Sequence, residues 1–157
     1  MTTRIDYNSL TTGWIEFFKA NSTTLDTSLY KSVTTIMDAD PEDINLYISR
    51  MPGVTINLNH HTEERTETGA DGSCRSLVEC EWQIGCHIYD IGDYTIARQD
   101  MRQLVTNVEQ AVRSDSTAST TFHNVDLTDA TFGVVIQGEQ GTYQQSAVII
   151  VNTENYV

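Results

Sequence analysis

At 157 residues and 17.6 kDa, the chain is long enough for one domain with one hydrophobic core and too short for two that each need their own. Its 22 Asp and Glu against 9 Lys and Arg give a formal net charge of -13, which argues against a phosphate-neutralising surface and so against sequence-specific binding of DNA or RNA. Only 20% of the residues are charged while threonine occurs 22 times, so the polar surface is built largely from Thr, Ser, Asn and Gln, which favour strands and loops.

The acidic groups are spread evenly, seven in residues 1–50, nine in 51–100 and six in 101–157, which describes an acidic body and not an acidic tail. No apolar run approaches the roughly 20 residues of a membrane span, and the opening MTTRIDYNSL lacks the apolar core of a secretory signal. The expectation is a chain with no membrane partner, made in the cytoplasm and kept there unless a particle carries it out. Cys74, Cys80 and Cys86 are odd in number and too few for a disulfide scaffold, which agrees. The sequon Asn21-Ser22-Thr23 then never meets the glycosylation machinery.

Residues 1–50 read as helical. Leu10, Trp14, Phe17 and Phe18 recur at offsets of four, seven and eight, a greasy stripe on a helix ending near Ala20-Asn21. Leu29, Val33, Ile36 and Met37 suggest a second short helix, against the β-branched preference of Val33, Thr34 and Thr35. Asp40-Pro41-Glu42-Asp43 resembles a helix cap with proline at the first helical position, opening a turn through Leu46 and Ile48 that Pro52-Gly53 stops.

From residue 54 the period changes to two. Val54, Ile56 and Leu58 alternate with Thr55, Asn57 and Asn59, a strand with one apolar face. Residues 63–76 are polar, hold Gly69 and Gly72, and read as a long hairpin connection or arm. Val78, Cys80, Trp82, Ile84, Cys86 and Ile88 then alternate with Glu79, Glu81, Gln83 and His87, a strand from 77 to 89 that extends about 44 Å. A helix over 95–114 places Ile96, Met101, Leu104, Val105, Val108, Ala111 and Val112 on one face, with Arg98, Gln99, Arg102, Asn107, Gln110 and Arg113 on the other. Strands are expected at 123–127, 131–137 and 146–152. The order predicts one α+β domain over 1–157: an antiparallel sheet with a long hairpin, packed on one side by amphipathic helices.

Candidate chemistry is sparse. The cysteine spacing, Cys-x5-Cys-x5-Cys, exceeds the Cys-x2-Cys to Cys-x4-Cys of structural zinc sites, and on one strand Cys80 and Cys86 lie about 20 Å apart. They read as buried hydrophobes, and no metal or cofactor is expected. His60, His61, Glu63 and Glu64 are adjacent strand residues whose side chains alternate between faces, so they read as a solvated strand end. Glu79 and Glu81 share a face about 7 Å apart, a separation that a glycosidase pair could use, but a polar rim or a subunit contact is the commoner role. Gly-x-Ser-x-Gly, a phosphate loop and His-Glu-x-x-His are all missing from the sequence. The reading is a protein that presents surfaces, not an enzyme.

Met51-Pro52-Gly53-Val54-Thr55-Ile56 leading into a strand, Leu77-Val78-Glu79-Cys80-Glu81-Trp82-Gln83-Ile84 closing the long hairpin, the helix Met101 to Val112 and the terminal Ala147-Val148-Ile149-Ile150-Val151 resemble the tail terminator, or tail completion, proteins of long-tailed bacteriophages. The likeness covers residues 50–155 and rests on order and periodicity. It implies a structural virion protein of the tail or neck, assembled in the host cytoplasm: a homo-oligomeric ring, commonly six-fold, that caps the tail tube, ends its growth and offers a surface to the head's connector or stopper protein. The family uses no cofactor. Six copies at -13 each would repel phosphate and let DNA slide through. On this reading Glu63, Glu64, Arg65, Glu67, Asp71, Arg75, Glu79 and Glu81 are the candidate contacts to a neighbouring subunit or the tube. Another neck or tube-associated protein, or less favourably a small acidic enzyme, stays open.

Overall fold

A computed structural model describes residues 5–41, 52–68, 74–138 and 141–157. Its elements are α1 (Tyr7–Ala20), α2 (Ser22–Leu25), β1 (Thr35–Asp38), β2 (Gly53–Thr68), β3 (Cys74–Ile91), α3 (Tyr94–Ser114), β4 (Asn124–Phe132), β5 (Ile136–Gln137) and β6 (Thr142–Tyr156). The strands form one sheet in the order β1-β2-β3-β6-β4, with β5 pairing β6. Among the described residues every pairing is antiparallel except β1 with β2. The expected α+β architecture is therefore present, with helices on one face of the sheet.

Asp6 starts α1 by accepting from the N–H of Asn8 at 3.0 Å and of Ser9 at 3.3 Å, which satisfies donors the first turn leaves open. The aromatic stripe then turns inward. Trp14 is fully buried, stacked on Phe18 at 5.5 Å and tilted against Phe122 at 4.9 Å, with Trp82 of β3 edge-on at 6.4 Å. Trp82 places its own N–H on Thr153 Oγ1 of β6 at 2.9 Å, so the largest core side chain of β3 is also hydrogen-bonded across the sheet.

The residues expected to form a second helix around 29–37 instead end in strand β1, which runs parallel to β2 with Ile36 beside Val54. The β-branched run Val33-Thr34-Thr35 suits an extended edge better than a helical turn. The cap expected at Asp40-Pro41-Glu42-Asp43 and the turn through Ile48 fall mostly outside the described residues. Helix α3 matches its expected span within one residue, opened by Asp93, which accepts from the Ile96 N–H at 3.0 Å.

Two residues of α3 depart from the amphipathic scheme. Asn107 is buried, not outward: its amide donates to the carbonyls of Leu25 and Thr27, each at 2.8 Å. Asp100 is also buried and accepts from the N–H groups of Tyr30 and Lys31 at 3.0 and 3.3 Å. Both tie the segment after α2 to the helix by satisfying backbone groups that burial would otherwise strand.

The hairpin is more regular than the polar composition of 63–76 suggests. Strand β2 continues through Thr68 and β3 begins at Cys74, so most of the expected connection is paired backbone, with register shifts after Leu58 and after Arg65. The strands expected at 123–127 and 131–137 regroup as one strand, β4, and the two-residue β5, while the last strand lengthens to 142–156.

Candidate functional site on the outer sheet face

The even-spaced apolar set of β3 faces the helices, so its alternate residues line the opposite, outer face. The register fixes their neighbours. Glu79 sits between Thr62 of β2 and Glu154 of β6, and Glu81 between His60 and Asn152. Asp126 of β4 lies beside Asn152. These side chains line a shallow hollow of about 350 Å3. Asn59 donates its amide to Glu81 at 2.8 Å, and Asn124 to Asp126 at 3.5 Å. Glu79 and Glu154, two like charges directly opposite on neighbouring strands, have no such partner among the described residues, an arrangement that ordinarily destabilises a sheet.

The sequence-predicted contact residues thus separate into groups. Glu79 and Glu81 meet in the hollow. Glu64, beside Leu77, shares their face further up the hairpin, whereas Glu63, beside Val78, has the opposite parity; both are exposed. Arg65 pairs with Ser76 and Glu67 with Arg75 along the backbone near the hairpin end. Asp71 lies outside the described residues. Asp126, Glu154 and Asn152 were missed because cross-strand register is not visible in a one-dimensional pattern, and His60, read as a solvated strand end, is exposed as expected and borders the same hollow.

The other end of the outer face is closed. His87, expected outward beside Gln83, is fully buried; Thr55 Oγ1 lies 2.9 Å from its Nε2 and Ser146 Oγ 2.8 Å from its Nδ1. Gly85 makes the space, since a Cβ there would stand 3.0 Å from Pro41 and 2.6 Å from His87 Nε2. Burial pushes the imidazole down to about 4, so it is neutral near pH 7, and the two hydroxyls, each able to donate or accept, suit either tautomer. Ser146 and His87 are within nucleophile–base distance, but both imidazole nitrogens are engaged and the ring is sealed from solvent.

Cys80 and Cys86 are free thiols in the core, and burial pushes both up, Cys86 furthest; they behave as small hydrophobes. Among the described residues, no group of three or more His, Cys, Asp or Glu could hold a metal ion, and no helix is long and apolar enough to cross a membrane. Compared with models of protein families the sequence has no match, and no curated protein is significantly similar to it.

Proposed function

We propose that this protein is a ring-forming structural component of a bacteriophage tail, the terminator that caps the tail tube and presents a surface to the head's connector. The observation that carries the reading is the shape of the sheet. Strands of 16, 18 and 15 residues are long for a domain of this size. They carry a hairpin whose residues 60–64 are all exposed, and an outer face left open above His87. Broad, charged sheet faces and a projecting hairpin suit contacts between large bodies, where a catalyst needs a closed, convergent pocket. The resemblance of element order adds the particular class, since β2, the hairpin, β3, α3 and the terminal strands β4 to β6 come in the order that the resemblance implies.

In this role the partners are further copies of the chain, the tube protein and the connector or stopper, and DNA passes through the ring without sequence-specific contacts. The test combines native mass with negative-stain imaging and a tube-end binding assay. The expected result is a ring with a central hole that labels one end of purified tubes. A monomer at every concentration that also ignores tube ends overturns the proposal, and binding along the tube wall instead would favour a different tail protein.

A further inference from the structure

On the helix side of the sheet, Arg98 and Arg102 of α3 project over a hollow of about 260 Å3 whose other walls are Phe132 and Gln145. The two guanidiniums are one helical turn apart and exposed. Arg98 rests over the Tyr94 ring at 5.7 Å, and among the described residues neither arginine meets a carboxylate, whereas Arg113 further along α3 pairs with Glu109 at 3.3 Å. Phe132 is 46% exposed. Gln145 is 7% exposed; its amide N–H donates to the Gly133 carbonyl at 2.8 Å, while its buried Oε1 meets no donor among the described residues. Val134 and Ile136 continue the apolar strip from Phe132 into solvent.

A pair of cations above an apolar floor fits a surface that offers carboxylates beside apolar side chains. The chain carries such a surface itself. Glu79, Glu81, Asp126 and Glu154 crowd the outer-face hollow, and Ile150 and Val148 follow Asn152 down the same face of β6. The two surfaces lie on opposite sides of one sheet, so they cannot meet within a molecule. They can meet between molecules arranged head to tail, which is the heterologous contact that closes into a ring when its rotation divides the circle.

We infer that the Arg98/Arg102 hollow is the docking site for the acidic sheet face of a second copy of this chain. The inference rests on the ring reading above and names its subunit contact. The charges set register and exclude wrong partners, while Phe132 and its neighbours supply the area that is covered. Each subunit uses both faces, so a full ring leaves none of these carboxylates facing only one another.

Two variants test it: Arg98→Glu with Arg102→Glu, and Glu79→Arg with Glu81→Arg, Asp126→Asn and Glu154→Gln, which leaves the sheet face carrying only the two new arginines. Native mass is measured for wild type, for each variant alone and for their equimolar mixture, with circular dichroism as the folding control. Each variant alone should be folded and unassembled, because its two faces now carry the same sign. The mixture should assemble into even-numbered rings that alternate the two variants. Wild-type rings formed by either variant alone, or a folded mixture that stays monomeric, overturn the inference while leaving ring formation by wild type intact. A wild-type chain that never assembles overturns both readings. Should a reversal fail to fold, the milder Arg98→Gln with Arg102→Gln is expected to weaken assembly at least tenfold, and an unchanged mass distribution counts against the site.

Discussion

Lowering the pH should destabilise the fold through His87 in a way that a single substitution removes. The ring is fully buried between Thr55 and Ser146, and burial lowers it from 6.5 to about 4. Between those values the unfolded chain binds a proton that the folded chain refuses, so stability is greatest above the unfolded value and falls as the pH drops. From these two figures the loss is about 2 kcal/mol at pH 5, approaching about 3 kcal/mol near pH 4. The many carboxylates titrate in the same range, which makes an absolute pH profile ambiguous. The useful quantity is the difference between wild type and His87→Gln, measured by urea denaturation from pH 4.5 to 8. Glutamine keeps a polar side chain in the space and cannot take up a proton, so the advantage of wild type should shrink by about 2 kcal/mol from pH 7.5 to 5. A difference that stays constant with pH would show that His87 is not held neutral by burial.

Three further changes probe the sheet. Trp82→Ala removes a fully buried ring packed edge-on against Trp14 and leaves Thr153 without its donor; a loss of about 3–5 kcal/mol in denaturant unfolding is expected, and a loss below about 1 kcal/mol would place the ring outside the core. Gly85→Ala drives a methyl against Thr55 Oγ1 and His87 Nε2, so overpacking and a broken buried hydrogen bond should outweigh the usual strand gain and cost about 2–4 kcal/mol; a neutral or stabilising result would mean that the pocket can open. Glu79→Gln relieves the repulsion with Glu154 across the strands and should raise the stability of the unassembled chain by about 0.2–1 kcal/mol in thermal unfolding. A lower melting temperature for that variant would show that the two carboxylates are not in conflict.

Much of the architecture was written in local periodicity. The stripe Leu10, Trp14, Phe17, Phe18 and the alternation from Val78 to Ile88 each place one apolar face, and the structure buries both. The span of α3 could be read within a residue because a long amphipathic pattern has few alternatives. The region around 29–37 was misread because four apolar residues at near-helical spacing also fit an edge strand, and the choice fell to a partner, β2, that is remote in sequence.

The candidate site divides the same way. Its two central carboxylates, Glu79 and Glu81, share a face by the pleat alone, so the sequence by itself determined that they lie side by side. That Asp126 and Glu154 join them was decided by the register of β6 between β3 and β4, a set of backbone pairings with no local signature. That His87, of the same parity, is sealed while Glu79 is exposed was decided by what lies over each end of the sheet, with Pro41 against Gly85 at one end. Alternation determines which face a side chain takes, but only long-range packing determines whether that face meets water.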